Sequence, residues 1–273
     1  MSTFRSPRSI KRLTALSAAF ALTAGALLGL AERSDAKTNP APPVVEVTVD
    51  AQAIHGPGSL PAGVTTFHTV STHPGTDSLA VVRLDDDVTY DQIFGYLAVG
   101  DLGSVFQHVA GKGGVAHGGP HNGSAWTTEL TPGNYLFADD EVNLVAPFEV
   151  TGDRQPAKKP SDDGKVIFEH GTFKLPKKFG SGTWELVNHD NIQHELGLLE
   201  IAPGHTQAEV EQAVANGDEP PFVTAVGTIN AIGPGQSAWV TLSDIHGFYV
   251  IGDWLPMFQG AAPGPVVQFH TFS

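Results

Sequence analysis

Short apolar or alternating runs, bounded by Gly, Pro and other turn residues, recur from Val44 to the C-terminus. That pattern predicts strands. In the first half they fall at 44–49, 65–70, 79–84, 125–130 and 135–138. In the second half they fall at 165–169, 182–187, 196–201, 238–242 and 248–251, with a last one at 265–271. Two stretches break the rhythm. Thr89-Tyr-Asp-Gln92 and Thr206-Gln-Ala-Glu209 are capping boxes, in which a Thr and a Gln or Glu three residues on satisfy each other's backbone N–H. Gly100 and Asn216-Gly217 supply the matching stop signals. The expected fold is all-β: two tandem Greek-key β-sandwiches, each with one short inserted helix.

The two halves read alike. His55-Gly56 followed by Leu60-Pro61 returns as His170-Gly171 followed by Leu175-Pro176. Residues 67–101 align without a gap on 184–218, and Val70, Leu79, Thr89, Ala98, Gly100 and Asp101 match Val187, Leu196, Thr206, Ala215, Gly217 and Asp218. Further on, Ser124-Ala-Trp126 matches Ser237-Ala-Trp239, and Gly133-Asn-Tyr135 matches Gly247-Phe-Tyr249. Order is kept throughout, as in a duplication. Between the halves, 151–165 is polar and carries Pro and Gly, which is linker composition. The expected units are 44–150 and 164–273, with a linker at 151–163.

The N-terminus reads as an address. Arg5, Arg8, Lys11 and Arg12 precede an apolar run at 13–30, and Ser34-Asp-Ala36 ends it in a small-x-small site. This is the layout of a secretory signal peptide, 1–36, ahead of a Pro-rich leader at 37–43. An uncleaved anchor is the other reading of such a run. The expectation is therefore a protein secreted to the extracellular or cell-envelope space, with no stable membrane insertion once the signal is cleaved.

Composition then narrows the chemistry. The chain carries 15 basic and 29 acidic residues, a formal charge of −14. Without 1–36 the balance is 10 basic against 27 acidic residues, or −17. Nucleic acid is excluded as a partner, because phosphate binding needs a basic surface. There is no Cys, which removes disulfides, thiol nucleophiles and any copper site built on a thiolate. No Gly-x-Ser-x-Gly elbow, phosphate loop or His-Glu-x-x-His motif occurs. The chain is not expected to be an enzyme. Asp85-Asp-Asp87 and Asp139-Asp-Glu141 lack the alternating spacing of a calcium loop and read as solvated acids.

Several second-half features now converge: His170-Gly with Leu175-Pro176, Gly182-Thr-Trp-Glu-Leu-Val-Asn188, His194-Glu195 opening a strand, Ala202-Pro-Gly204 before a helix, Ile232-Gly-Pro-Gly235, and Gly247-Phe-Tyr249-Val-Ile. Together they resemble a cupredoxin domain of the secreted, plastocyanin-like kind. The resemblance implies a copper site whose first His maps onto His194. It places the copper Cys at Asp253, and the loop beyond contains no His and only an early Met257. In the first half the corresponding positions are Asp77 and Asp139. The fold is thus expected without type 1 copper.

Two readings of the remaining residues stay open. His194 and Asp253, joined by His189 or His246, could bind Cu(II) or Zn(II). Alternatively, His194 is a relic hydrogen-bonded at the domain end. A second cluster, His108 with His117 and His121 in a Gly-rich stretch, is either a metal site or a set of exposed turn histidines. His55 and His170, repeated in both halves, point to a structural role. The leading expectation is a non-redox binding or envelope-associated module for an extracellular protein or glycan, using end loops or the groove between the halves. The rival is a Cys-free copper or zinc handling protein.

Overall fold

The computed structural model describes residues 39–72, 78–116, 125–139, 144–216, 220–259 and 266–272. In the first half, β1 Val44–Val49, β2 Ile54–His55, β3 Ser59–Ser71 and β4 Leu79–Leu84 lead into α1 Tyr90–Val99 and α2 Leu102–Gln107. Then come β5 Val109–Ala116, β6 Ala125–Leu130, β7 Gly133–Asp139 and β8 Leu144–Gln155. The second half runs β9 Gly164–Glu169, β10 Thr172–Lys174, β11 Gly182–Asn188, β12 His194–Ile201, α3 Gln207–Asn216, β13 Val223–Ile232, β14 Ser237–Leu242 and β15 Gly247–Asp253. It ends with α4 Leu255–Phe258 and β16 Val266–Phe272.

The fold is mostly β, and both capping boxes and the Gly100 stop act as expected, while Gly217 lies outside the described residues. Gln92 Oε1 accepts the Thr89 N–H at 2.8 Å, and Gly100 closes α1 at φ 74°. Glu209 Oε2 accepts the Thr206 N–H at 2.7 Å. Two short helices were not expected, α2 and α4. Asp101 starts α2 by accepting the Ser104 N–H, so one residue after the α1 stop the chain nucleates another turn.

The division into two tandem Greek-key sandwiches does not emerge as such. Residues 39–273 form one compact unit. Their strands lie on a single path, β10-β9-β11-β14-β6-β3-β8-β7-β4-β5-β13-β12-β15-β16, with β1 and β2 attached beside β3. The two ends of the path approach each other, because Gln268 Nε2 on β16 donates to the Phe173 carbonyl on β10 at 2.8 Å. The polar stretch read as a linker begins inside β8. Arg154 near the end of β8 and Lys159 beyond it both pair with Glu129, at 2.7 and 3.3 Å, and the Lys159 ammonium sits over the Trp239 ring.

Corresponding strands nevertheless pair alike. Leu79 faces Val115 in β4–β5 as Leu196 faces Ile229 in β12–β13. Val82 faces Leu136 as Leu199 faces Val250. Each half joins the other twice, and each junction is antiparallel. In β6–β14, Trp126, Thr127 and Thr128 face Val240, Trp239 and Ala238. In β5–β13, Ala116 and Val115 face Thr228 and Ile229. The glycines of β5 permit that second contact, since a Cβ at Gly111 would lie 2.0 Å from the Ala231 carbonyl oxygen.

A continuous apolar core fills the interior, from Phe67, Trp126, Phe137 and Phe148 to Phe168, Trp184, Leu186 and Ile251. Burying each such side chain contributes about 1.5–3 kcal/mol. Two satellite cores lie under the helices: Ile93 of α1 with Leu84, Val109 and Leu136, and Val210 of α3 with Ile201 and Val250.

Candidate functional site

Antiparallel pairing of β12 with β15 sets Gly197 opposite Gly252, so the start of β12 and the end of β15 share one end of the sheet. His194 and Asp253 therefore meet. Asp253 Oδ2 lies 2.5 Å from His194 Nδ1, and both residues are 0% exposed. The other carboxylate oxygen of Asp253 accepts the Glu195 N–H at 3.2 Å. Trp254 covers this end: a Cβ at Gly252 would lie 2.2 Å from its ring, and one at Gly197 2.4 Å. Only glycine at both places leaves room for the indole.

The second nitrogen of His194 is also engaged. Asp190 Oδ2 lies 3.1 Å from Nε2. Asp190 is itself built into the structure, accepting the His170 N–H at 2.7 Å and the Gly171 N–H at 2.8 Å. These two residues form the two-residue loop between β9 and β10, with φ of 56° and 67°. Positive φ at both central positions is what a type I′ hairpin turn demands. Partial burial pushes the Asp190 carboxyl up, but the Gly171 and His170 N–H groups and the His194 ring outweigh it and hold it below the usual carboxylate range. Phe168 then stacks on the imidazole, with centroids 5.0 Å apart and planes 9° from parallel.

The arrangement is one of satisfaction, not of open ligation. A neutral imidazole has one donor and one acceptor nitrogen. Facing a carboxylate on each side, it is fully hydrogen-bonded only with a proton on both nitrogens or on one of the carboxyls. No His194 lone pair points at open space. The two carboxylates approach opposite edges of the ring, so they cannot converge on one ion with it.

The other residues singled out from the sequence do not join this pair. His189 is exposed, with Nδ1 3.8 Å from Glu169 Oε2. His246 is exposed on the turn before β15. His108 stacks on Tyr96 and lies 3.8 Å from Asp85. His117, His121 and Asp77 lie outside the described residues. Asp139, the first-half counterpart of Asp253, is buried at the end of β7. His55, exposed at the end of β2, contacts Asp50 at 2.8 Å. Among the described residues no group of three or more His, Asp or Glu side chains is set to hold a metal ion. With no Cys in the chain and both His194 nitrogens engaged, the residues present do not fit type 1 copper.

Sequence reasoning missed Asp190, Phe168 and Gln193. Asp190 stands four residues before His194 in Asn188-His-Asp190, a turn signal that was available. Gln193 is buried and bridges the halves: its Oε1 accepts the Gly111 N–H at 2.9 Å, and its Nε2 donates to the Val109 carbonyl at 3.0 Å. Gln259 in turn accepts the Gln193 N–H and donates to the Gln193 carbonyl.

No family model matches the chain, and no curated protein matches it. Among solved structures it is similar to an auracyanin from Roseiflexus castenholzii, 16% identical over 40% of this chain and 94% of that one, with a TM-score of 0.24. It is also similar to a copper nitrite reductase from Nitrosomonas europaea, 12% identical over 84% of this chain and 93% of that one, at 0.23. A multicopper oxidase is 13% identical, covering 84% and 88%, at 0.22. These likenesses are distant, and no role is carried from them to this chain. Among the described residues no helix is long and apolar enough to cross a membrane.

Proposed function

We propose that this is an exported, non-redox binding protein built from two degenerate cupredoxin-like halves, in which the former ligand position has become a structural pin. One observation carries the reading: both nitrogens of the fully buried His194 face carboxylates, Asp253 at 2.5 Å and Asp190 at 3.1 Å. A histidine kept as a copper ligand would present one nitrogen unopposed. The absence of Cys supports the same reading, and the repeated register of β4–β5 and β12–β13 supports the duplication. Export rests on the basic, apolar and small-residue order of 1–36.

The test is elemental analysis after copper and zinc loading and desalting, on the parent protein and on His194→Ala. The expected result is far less than one ion per chain in both. Near-stoichiometric metal in the parent that disappears in the variant would overturn the reading and install the Cu(II) or Zn(II) site at His194 and Asp253. Export is checked separately, by N-terminal sequencing of the protein recovered outside the cytoplasm, with Lys37 expected first.

A further inference from the structure

A cleft of about 470 Å³ opens where the halves meet, a size within the roughly 300–1,000 Å³ of small-molecule sites. One wall is α2 and the start of β5, and the other is the loop between β11 and β12 with Gln259 beyond α4. Its floor is fixed, because the side chains of Gln193 and Gln259 are committed to the backbone bonds described above. Its rim is not. The amides of Gln107 on the first half and Asn191 on the second have no hydrogen-bond partner among the described residues. Phe106, half-buried, and Asp85 line the cleft beside them.

This donor set selects a class of ligand. Each free amide offers two N–H donors and an acceptor oxygen, and Asp85 offers acceptors only. Among the described residues no Lys or Arg lines the cleft, and the chain carries a formal charge of −14, so anions are disfavoured. An uncharged ligand with many hydroxyls pairs with amides and carboxylate alike, and its C–H faces suit the apolar lining from Val109, Ala110, Ile192 and Pro234. We propose that the cleft binds a neutral saccharide of one or two rings, bridging the halves through Gln107 and Asn191. This rests on the binding-protein reading and names its ligand class and its place.

The experiment is saturation-transfer-difference NMR on the full chain with glucose, galactose, N-acetylglucosamine, maltose and cellobiose, with spermidine and citrate as charged probes. At least one neutral sugar is expected to give a signal, and citrate none. Losing two polar contacts weakens binding about tenfold or more, so Gln107→Ala combined with Asn191→Ala should weaken that sugar by as much. Circular dichroism verifies that the variant is folded. Silence from every sugar, a sugar signal untouched by these changes, or binding of spermidine alone would overturn the proposal. Such a result leaves the metal analysis unaffected, whereas metal retained at His194 would overturn the parent reading without touching the cleft.

Discussion

Asp253 and His194, side by side at one end of β15 and β12, are in contact at 2.5 Å with neither side chain reaching solvent. Such a pair is worth most when one member is removed, because the survivor is left polar and buried. Asp253→Ala is expected to cost about 3–5 kcal/mol of stability. Asp190→Ala strips an acceptor from two turn N–H groups near the surface and should cost less, about 1–3 kcal/mol. Urea titration of both variants checks the order. Equal, negligible losses would mean the pair does not pin the fold.

Lys112 gives a pH dependence of definite sign. It is 3% exposed at the β5–β13 junction, and its ammonium donates to Gln236. Burial, aided by the nearby Arg83 charge and opposed by Glu129, lowers its pKa to about 8. An unfolded lysine titrates near 10.5, so between these values the unfolded chain binds more protons and folding strengthens as pH rises. Below about pH 8 the buried charge is a standing cost of roughly 3 kcal/mol. Lys112→Met should therefore stabilise the protein at pH 7 and flatten its stability between pH 8 and 10. Denaturation midpoints at pH 7 and 9.5 test this, and a variant weaker than the parent at both would refute it.

Two glycines should respond in opposite directions. Gly95 lies within α1, and a Cβ there meets nothing within 4 Å. Gly95→Ala is expected to raise stability by about 0.5–1 kcal/mol through the lower backbone entropy of the unfolded chain. Gly111→Ala would drive a methyl into the Ala231 carbonyl. Its expected loss is about 1–3 kcal/mol. Thermal melts of the two proteins should move apart, up for the first and down for the second.

The capping box of α1 offers a smaller effect. Thr89→Ala removes the side chain that accepts the Gln92 N–H, with an expected cost of about 1 kcal/mol. Because α1 covers its own satellite core, hydrogen exchange should accelerate in 90–99 more than in β11 or β14. Uniform acceleration would show that the helix unfolds only with the whole molecule.

The sequence rhythm was a good guide where strands alternate and end in plain turns: 44–49, 79–84 and 125–130 match β1, β4 and β6. It was a poor guide to β5, whose Val-Ala-Gly-Lys-Gly-Gly-Val-Ala reads as loop. Those glycines serve close backbone approach, a requirement that arises only when another strand is beside them. The polar tail of β8 read as linker for a related reason, since its side chains are exposed and carry no apolar alternation. The meeting of His194 with Asp253 was legible through the cupredoxin resemblance, which sets a copper-ligating His and Cys at these two positions. Asp190 was not, because its role depends on the His170-Gly171 turn arriving from a different hairpin.

The paired junctions also set a timetable. Until 223–242 has been made, β5 and β6 have no partners on the sides they later give to β13 and β14. Open strand edges invite pairing with other chains. At about 5–20 residues per second, the hundred or so residues between Ala116 and Val223 leave those edges uncovered for roughly 5–20 s of synthesis. A first half made without the second is therefore expected to aggregate more readily than the whole chain.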